Sequence, residues 1–479
     1  MKSQTYSSLL TDLNPLTMAY GYWKQGMQNH EAVFHLFFRE NPFGGGFTVA
    51  CGLKTVIDYL QDFRFKREDL IYLSELMGED RQPIFEPGFL EYLLKMRFSC
   101  TVYGIPEGTI VFPNEPILRI QGPLIQCQLL ESILLNQINY QTLIATKAAR
   151  IVLAAQGDDV REIGLSRAHG PDGGLSASRA AYIGGCSSTS NVLASKKWGI
   201  PLKGSLGHSW VMSFENEMEA FIAYAQALPS NCMFLVDTYD SAQGIKNAIR
   251  VGRLLRDAGF EIEGLHLDSG DLVSQSKLAR ELLNEANFSN TRIMGSNDLD
   301  EFQITDLKAS GAKVNTWGVG TRLITAFDQP ALGGVFKLAA ARAPGGKWLP
   351  KMKIASENHK GSFPGVLQVL RFHNDKEFKA DVIVNELWES DPKDFTSFSG
   401  NQHDLSSLDA YKLLQVIFDE GKLVYLVRSI HQKRAHTQRE LLALPEGVTR
   451  LENPEIYPSG LEKELVALKT HMHQELGQK

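Results

Sequence analysis

The chain has 479 residues, of which 43% are hydrophobic and 22% are charged, and its formal net charge is −6 at pH 7. These values are ordinary for a globular protein, and the length allows two to four domains or one large barrel with additions. The acidic balance argues against a nucleic-acid partner, because proteins that bind nucleic acid usually carry a basic excess.

Cysteine usage and hydropathy indicate a cytoplasmic protein. The five cysteines are widely spaced and include no CxxC pair, so buried reduced thiols are a simpler interpretation than a zinc ribbon or a disulfide framework. Residues 1–16 contain no basic segment followed by a long apolar run, and no stretch approaches ~18 uninterrupted apolar residues. We therefore expect neither a signal peptide nor a membrane span.

The first third of the chain mixes helix and strand signals. Apolar residues recurring at helical spacing predict one helix, and two short strands and two largely apolar helices follow it. The helix face consists of Leu53, Val56, Ile57, Leu60 and Phe63; the strands are at 102–105 and 109–112, around a Pro-Glu-Gly turn; the later helices are at 123–138 and 142–155.

From about residue 202 to 341, short apolar strands alternate with amphipathic helices. The strands are predicted at 233–236, 262–267, 292–294 and 314–318, and the helices at 245–256, 278–286 and 299–308. Strand spacings of roughly 20 to 30 residues fit successive βα units of a parallel sheet or barrel. Gly259 and Gly311 stand where helices should end, and Asp298 with Glu301 has the form of a capping box.

Polar residues cluster just after each of these strands. They are Asp237-Thr238, Asp268-Ser269, Ser296-Asn297 and the glycine-rich segment 318–321. Because α/β barrels build their active sites at the carboxyl ends of the strands, this repeated placement predicts an enzyme. Beyond about residue 345 motifs are fewer, and we expect a smaller appended region that ends in a surface helix over 461–478.

The segment 204–209 surrounds one histidine, His208, with small residues. Such a setting leaves room for a ligand to approach the imidazole, although a structural histidine in a tight turn is the plainer interpretation. Asp237 ends the following predicted strand. A carboxylate there could contact the ring, fix its tautomer and raise its basicity.

In the Asp268-Ser269-Gly270-Asp271 turn, two carboxylates flank a Ser-Gly pair at a strand end. Such carboxylates bind ribose hydroxyls or a magnesium ion, for which oxygen ligands are preferred. A turn held by local Asx-type hydrogen bonds explains the same residues equally well.

Three further features suit anions. Glycines at 318 and 320 let backbone N–H groups approach a phosphate, or form a plain tight turn. A short helix at 191–197 begins after a run of hydroxyl residues, which suits either an anion or simple capping. Arg167 lies in a glycine-rich polar loop and could pair with a phosphate or carboxylate, although an exposed arginine is the usual case.

Taken in order, the motifs resemble those of the nicotinate phosphoribosyltransferase family. The resemblance runs from the N-terminus to about Leu338 and weakens beyond it. The motifs are LTDL at 10–13, TMA at 17–19, NPFGG at 41–45, GPDGG at 170–174, TSNVLA at 189–194, GHS at 207–209, DTY at 237–239, LDSGDL at 267–272 and GVGT at 318–321.

The resemblance implies a reaction and a fold. Nicotinate attacks C1 of 5-phosphoribosyl-1-pyrophosphate, giving nicotinate mononucleotide and pyrophosphate for NAD synthesis, with ATP hydrolysis coupled through a phosphohistidine at His208 and with Mg²⁺ on the pyrophosphate. The implied fold is α/β: an irregular α/β barrel with an N-terminal α+β domain and a smaller C-terminal region, working as a homodimer with active sites at the interface. We expect domains at 1–140, 141–345 and 346–479, with segments of the C-terminal part able to return to the first.

The resemblance also assigns roles to residues. An anionic leaving group and a cationic ribosyl centre need a cation on one side and carboxylates on the other. Arg167 suits the pyrophosphate, and Asp268, with Ser269 and Gly270, suits the ribose. Gly318, Gly320 and Thr321 suit the 5-phosphate, Asp268 and Asp271 the metal, and Asp237 the support of His208. Ser190 replaces an aspartate of nicotinamide-using relatives, which favours nicotinate, since a hydroxyl can donate to its carboxylate.

Two positions depart from the family pattern. Asn14 stands where members usually have a tyrosine that stacks on the pyridine ring, a contact worth about 1 kcal/mol; Tyr20 or Tyr22 could substitute. His266 replaces an arginine and could grip a carboxylate or phosphate only when protonated, which predicts weaker and more pH-dependent substrate affinity. These departures leave open another pyridine substrate, such as nicotinamide, or a non-catalytic regulatory relative.

Overall fold

The computed structural model describes residues 6–354 and 362–477. The chain divides into two compact units, one formed by Met1–Leu143 with Ala331–Lys479 and the other by Ile144–Pro330. The described residues combine helices with both parallel and antiparallel strands, which confirms the α/β class. The division into three domains expected from the sequence stays a prediction.

Seventeen α-helices are found in the described residues. In chain order they are α1 Leu13–Lys24, α2 Leu53–Gln61, α3 Arg67–Ser74, α4 Pro87–Lys95, α5 Leu124–Leu129, α6 Glu131–Ala155, α7 Gly170–Gly184, α8 Val192–Trp198, α9 His208–Met212, α10 Glu217–Ala227, α11 Ser241–Asp257, α12 Leu272–Glu285, α13 Glu301–Ala309, α14 Thr321–Ile324, α15 Ile430–Leu442, α16 Glu446–Thr449 and α17 Lys463–Gly477. Short 3-10 turns occur at Pro42–Gly44 and Leu165–Arg167.

Twenty-one strands accompany them in the same part of the chain. They are β1 Glu31–Phe37, β2 Thr48–Val49, β3 Thr101–Gly104, β4 Ile110–Val111, β5 Leu118–Pro123, β6 Asp159–Glu162, β7 Ser188–Thr189, β8 Met233–Leu235, β9 Gly264–Leu267, β10 Arg292–Gly295, β11 Thr316–Val319, β12 Val335–Arg342, β13 Leu349–Pro350, β14 Leu367–His373, β15 Phe378–Asn385, β16 Asp394–Ser397, β17 Gln402–Asp404, β18 Asp409–Lys412, β19 Gln415–Asp419, β20 Lys422–Leu423 and β21 Ser459–Leu461.

The unit Ile144–Pro330 contains a six-stranded sheet in the order β7-β6-β11-β10-β9-β8, in which every neighbouring pair is parallel. Strands β8 to β11 are largely apolar and buried, as expected of a sheet covered on both faces, and Leu265, Ile293 and Trp317 have no exposed surface. The register pairs Leu235 with His266 and Leu267 with Gly295. Strands β8, β9 and β10 therefore end side by side, and the residues that follow them meet at one edge of the sheet.

The other unit contains three sheets. A seven-stranded sheet has the order β13-β12-β1-β5-β3-β19-β20, with all its pairs antiparallel. A six-stranded sheet has the order β17-β16-β21-β15-β14-β18, in which only β15 and β21 run parallel, and β2 pairs with β4. Residues after 331 therefore supply strands to both larger sheets.

Two glycine helix terminators expected from the sequence are confirmed, and one expected capping box is not. Gly259 and Gly311 follow α11 and α13 with φ values of +83° and +78°, which confirms them as helix terminators. The expected capping box at Asp298 is wrong, because Asp298 has a φ of +47° and the box is formed two residues later by Asp300 and Gln303.

The helices expected at 123–138 and 142–155 are divided at a different place. The break falls at Leu130, between α5 and α6, and residues 139–141 continue the helix. Gln141 is buried there, and its amide Nε2 donates to Thr55 Oγ1 over 2.7 Å. Tertiary packing thus outweighs the weak helix propensity of this polar stretch.

Within the unit Ile144–Pro330, a buried ion cluster ties α6 to α13. Glu301 accepts from Arg150 Nε over 2.8 Å and lies 2.7 Å from Lys147 Nζ. All three side chains are fully buried.

In the part of the chain that the structure describes, no helix has the length and apolar character that a membrane crossing requires.

Candidate active site

The turn after β9 is braced by Asp237, which follows β8. Asp237 Oδ2 accepts from the backbone N–H of Asp268 over 2.8 Å and from Ser269 Oγ over 2.6 Å. The Asp237 side chain is 9% exposed, and its Oδ1 has no hydrogen-bond partner among the described residues. The buried carboxylate therefore fixes the conformation of the Asp268 turn directly from the neighbouring strand.

His208 is the first residue of α9 and faces the same turn. Its Nδ1 lies 3.1 Å from Thr238 Oγ1, and its Nε2 lies 3.8 Å from Asp268 Oδ2. Both His208 and Asp268 are 40% exposed. The expected support of His208 by Asp237 is thus replaced: Thr238 orients the ring, Asp268 faces it, and Asp237 bonds to the turn instead.

His266 lies within β9, two residues before Asp268, and is buried. Its Nδ1 is 3.0 Å from Ser205 Oγ and its Nε2 is 2.7 Å from Ser296 Oγ. Burial lowers the pKa of His266, and this effect outweighs the opposing influence of Asp268 and Asp237. An uncharged ring with both nitrogens engaged does not act as a cation, so the hypothesis of a protonated His266 holding the substrate loses its physical basis.

Asp271 is the N-cap of α12. Its Oδ1 accepts from the backbone N–H of Val273 over 3.0 Å and its Oδ2 accepts from Ser274 Oγ. The hydrogen bond from Ser274, followed by those from the backbone, lowers the pKa of Asp271. The local Asx-type interpretation of this residue therefore describes its contacts, and Gly270 before it adopts a φ of +73°.

The donor set suits a metal ion only in part. No group of three or more His, Cys, Asp or Glu side chains that could hold a metal occurs in the described ranges. Mg²⁺, however, is commonly held by one or two carboxylates together with substrate phosphates and water. The half-exposed Asp268 carboxylate fits that pattern, whereas both Asp271 oxygens are engaged at the helix end.

The glycine-rich segment 318–321 spans the end of β11 and the start of α14. A Cβ on Gly318 would lie 2.4 Å from Met294 Cε and 3.2 Å from Ser296 Cβ, so a side chain there would require these neighbouring side chains to shift. Gly320 is the N-cap of α14, with φ −116° and ψ −103°, and Thr321 is its first residue. The segment presents backbone and a hydroxyl at the end of the strand, as a phosphate site requires.

Glu162, at the end of β6, binds the residues that follow β6 and the neighbouring edge strand β7. It accepts from the backbone N–H of Gly164 over 2.6 Å and from Thr189 Oγ1 over 2.5 Å. Ser190 follows β7, is half-buried, and donates its backbone N–H to the Glu162 carbonyl over 2.9 Å. Arg167 is exposed at the end of a 3-10 turn, and its side chain has no partner within residues 6–354 and 362–477.

Family models match both ends of the chain. The model of the nicotinate phosphoribosyltransferase N-terminal domain matches residues 9–139, and that of the C-terminal domain matches residues 367–469. A Bacillus subtilis protein named nicotinate phosphoribosyltransferase is 42% identical over 466 residues, covering 95% of this chain and 93% of its own length. The chain belongs to the nicotinate phosphoribosyltransferase family.

Human and archaeal proteins extend the comparison. The human nicotinate phosphoribosyltransferase is 34% identical over 523 residues, covering 96% of this chain and 95% of its own length. The crystal structure of human nicotinic acid phosphoribosyltransferase superposes with a TM-score of 0.84 at 31% identity, covering 96% of this chain and 99% of that one. A nicotinate-nucleotide pyrophosphorylase from Pyrococcus furiosus shares the fold, with a TM-score of 0.69 at 20% identity, covering 91% and 96% of the two chains.

In this member of the nicotinate phosphoribosyltransferase family, the residues predicted from sequence fall into groups. His208, Asp237, His266, Asp268 and Ser269 form one connected cluster through direct contacts or through Ser296 and Thr238. Arg167 and Ser190 follow β6 and β7 of the same sheet, and Gly318, Gly320 and Thr321 belong to β11 and α14. Asn14 is exposed in α1 of the other unit, where its backbone carbonyl accepts from Thr17 Oγ1.

Four residues of this cluster and its surroundings were not assigned roles from the sequence. They are Glu162, Ser205, Thr238 and Ser296. Thr238 and Ser296 were recognised only as polar residues after strands, and Ser205 only as part of the motif around His208. Glu162 gave no usable signal, because Asp158 and Asp159 are acidic as well and only strand pairing brings Glu162 to Thr189.

Proposed function

We propose that the protein transfers the phosphoribosyl group of 5-phosphoribosyl-1-pyrophosphate to nicotinate, giving nicotinate mononucleotide and pyrophosphate for NAD biosynthesis. In this reaction the pyridine nitrogen forms a bond to C1 of the ribose, and the bond from C1 to the pyrophosphate oxygen breaks. The observation that carries the proposal is the Asp237-braced Asp268 turn facing His208, in a chain that matches named nicotinate phosphoribosyltransferases over 95% of its length.

Asp268 is the residue that the chemistry at the sugar depends on. As the C1–O bond breaks, positive charge develops on the ribose, and a fixed carboxylate stabilises that charge without having to reorganise. Ser296 binds Oδ1 of Asp268 and leaves Oδ2, and the side chain is 40% exposed, so the carboxylate is accessible to a bound sugar. The hydroxyl of Ser269 and the backbone of Gly270 border the same ribose site.

Anionic groups are assigned to the neighbouring strand ends. The exposed guanidinium of Arg167 pairs with the pyrophosphate, and Gly318, Gly320 and Thr321 hold the 5-phosphate. Asp268 would hold Mg²⁺ together with the diphosphate, and Asp271 would contribute only by giving up its bonds at the start of α12; the ion would supply positive charge to the leaving group. Ser190 donates to the nicotinate carboxylate, which distinguishes nicotinate from nicotinamide.

ATP is coupled to the reaction through phosphorylation of His208. Hydrogen bonding of Nδ1 to Thr238 leaves Nε2, which lies on the Asp268 side of the ring, as the nitrogen whose lone pair attacks the γ-phosphate. The β–γ phosphoanhydride bond breaks and ADP leaves. The proposal also includes the homodimer, with active sites at its interface, and the cytoplasmic location.

One assay tests the reaction and its acceptor. Pyrophosphate release from 5-phosphoribosyl-1-pyrophosphate is measured with nicotinate, nicotinamide or quinolinate, each with and without ATP. We expect release with nicotinate, enhanced by ATP. Preference for another ring would replace nicotinate in the proposal, and no release with any of the three would contradict it. Asp268→Asn should lower kcat by about 100-fold or more, whereas Asp257→Asn, at an exposed position in α11, should not.

The ATP step has its own test. His208→Ala should abolish nicotinate-dependent ATP hydrolysis and the ³²P label that the wild-type protein acquires from γ-labelled ATP. His473→Ala, which removes an exposed histidine of α17, serves as the matched control. A His208→Ala protein that kept its nicotinate-dependent ATP hydrolysis would refute the phosphohistidine.

A further inference from the structure

A continuous chain of hydrogen bonds runs from the half-buried loop residue Ser205 through two buried side chains to Asp268. Ser205 Oγ lies 3.0 Å from His266 Nδ1, His266 Nε2 lies 2.7 Å from Ser296 Oγ, and Ser296 Oγ donates to Asp268 Oδ1. His266 is 6% exposed and Ser296 is 2% exposed. The chain joins the loop before α9, strand β9 and the end of β10.

The chemistry of its last member fixes the direction of every bond. An ionised carboxylate only accepts hydrogen bonds, so the Ser296 hydroxyl must donate its proton to Asp268. The Ser296 oxygen is then the acceptor for His266 Nε2–H. With its proton on Nε2, the ring presents the Nδ1 lone pair to Ser205, whose hydroxyl lies within hydrogen-bond distance. The geometry thus requires the Nε2–H tautomer of His266.

Asp268 is consequently held at two points. Its backbone N–H is bound by Asp237, and its Oδ1 is bound by Ser296. With Oδ1 occupied, rotation of the carboxylate is restricted and Oδ2 stays on the half-exposed side that faces His208. Without the Ser296 proton, a carboxylate at a turn could exchange its two oxygens between these environments.

We propose that His266 and Ser296 are positioning residues, which orient the Asp268 carboxylate so that Oδ2 faces the reacting sugar. This inference rests on the phosphoribosyl transfer proposed above. It gives His266 a task that needs neither a positive charge nor contact with substrate: its Nε2–H directs the Ser296 hydroxyl proton towards Asp268. The residue therefore acts through Ser296 on the carboxylate.

Kinetics of paired variants separate positioning from substrate binding. Ser296→Ala should lower kcat by about tenfold, the size of effect that follows loss of one hydrogen bond to a charged group, and should leave the nicotinate KM within about twofold. Ser296→Thr keeps the hydroxyl and should restore most of kcat. His266→Gln keeps an N–H donor at the Nε2 position and should exceed His266→Leu in kcat.

A matched control exists in the same sheet. Ser188 of β7 is buried, and its hydroxyl has no hydrogen-bond partner in the described part of the chain. Ser188→Ala makes the same chemical change as Ser296→Ala without touching Asp268, so its kcat should equal that of the wild type. Thermal unfolding of every variant identifies any that have lost their fold.

Nitrogen NMR gives a readout that does not depend on turnover. In protein labelled with ¹⁵N-histidine, the His266 signals, assigned by their loss in His266→Gln, should show the Nε2–H tautomer. The Nδ1–H tautomer, or a folded Ser296→Ala protein with wild-type kcat, would overturn the inference. An inactive wild-type protein would instead overturn the proposed function, so the two failures are distinguishable.

Discussion

At the scale of single residues, the buried glutamate Glu115 is expected to make the stability of the fold depend on pH. It is fully buried near Asp381, and its Oε2 accepts from the backbone N–H of Phe112 over 2.9 Å. Burial first, and the Asp381 carboxylate second, raise the pKa of Glu115 well above its ordinary value. The carboxyl group is therefore neutral in the folded protein under conditions that ionise it in the unfolded chain.

This shift predicts how Glu115→Gln changes stability with pH. Because the folded pKa of Glu115 is raised, its contribution to the stability of the fold is fully present below the pKa of the unfolded chain. This contribution is lost as pH rises above that value towards the folded pKa. Glutamine stays neutral throughout, so the Tm of the variant relative to wild type should increase from pH 5 to pH 8. Glu389→Gln, at an exposed position, should show no such trend. A Tm difference that is constant with pH would contradict the prediction.

Residues of the site could be predicted where chemistry lies within a short motif. His208, Asp237 and Asp268 each stand in such a motif, and the structure joins them in one cluster. Their partners could not be predicted, because the bonds from Ser205, Thr238 and Ser296 span 28 to 61 positions and depend on strand register. Roles in binding and catalysis stay predictions until the assays are done.

At the scale of elements, Gly244 sets the distance between α11 and β8. A Cβ at Gly244 would lie 2.1 Å from the Val236 carbonyl oxygen and 2.9 Å from its carbon, and both are backbone atoms that cannot turn aside. Val236 precedes Asp237, so displacement of this backbone moves the brace of the Asp268 turn.

Gly244→Ala should therefore lower stability by about 1–3 kcal/mol, the usual cost of overpacking, and should reduce kcat as well. Gly21→Ala is the control: this glycine lies inside α1 with nothing within 4 Å of its Cβ position. There the substitution should raise stability by about 0.5–1 kcal/mol. Urea unfolding should show a lower free energy of unfolding for Gly244→Ala and a higher one for Gly21→Ala. Equal destabilisation of the two variants would argue against the close-packing explanation.

Element boundaries show the limit of local patterns. Strands β8 to β11 and the helices between them were predictable, because short apolar runs and a helical period of 3.6 are local to each segment. The short polar strands β6 and β7 carry no such pattern and were not predicted. The capping box was misplaced by two residues, since Asp298 and Asp300 offer the same side chain and only backbone dihedral angles distinguish them. The helix break at Leu130 had no signal, because packing decides it.

At the scale of the whole molecule, buried histidines in both units predict sensitivity to acid. Burial lowers the pKa of His35, His266 and His436, and that of His436 falls to about 4. Arg428, Arg439 and Arg371 add to the effect at His436. Such a histidine stays neutral in the folded protein but becomes protonated in the unfolded chain. The free energy of unfolding therefore decreases as pH falls below 6.5.

His436→Gln isolates one of these contributions. The shift at His436 corresponds to about 3 kcal/mol of stability lost between pH 6.5 and its folded pKa. Glutamine can keep the 2.9 Å contact with Thr109 Oγ1 and does not titrate. Urea unfolding at pH 7 and pH 4.5 measures the free energy of unfolding, which should fall less in the variant than in wild type. The control His473→Gln changes an exposed histidine, and its free energy of unfolding should fall as much as that of wild type.

The α/β class could be predicted from the sequence, but the antiparallel sheets could not. Strand β1 pairs with β12, and Glu31 and Arg342, 311 positions apart, face each other in the register. No periodicity within a short window records such a pairing. The antiparallel strands are also interrupted by the whole of Ile144–Pro330, so composition at either end does not reveal that both belong to one sheet.

That sheet has a consequence for how the protein is made. Its three central strands, β1, β5 and β3, leave the ribosome early, but the strands that cover both their edges, β12 and β19, lie beyond residue 331. During translation the nascent chain therefore carries two open strand edges while about 200 further residues are added, at roughly 5–20 residues per second. Open edges of this kind recruit other strands, so we expect its biosynthesis to depend on holding chaperones until the C-terminal segment emerges.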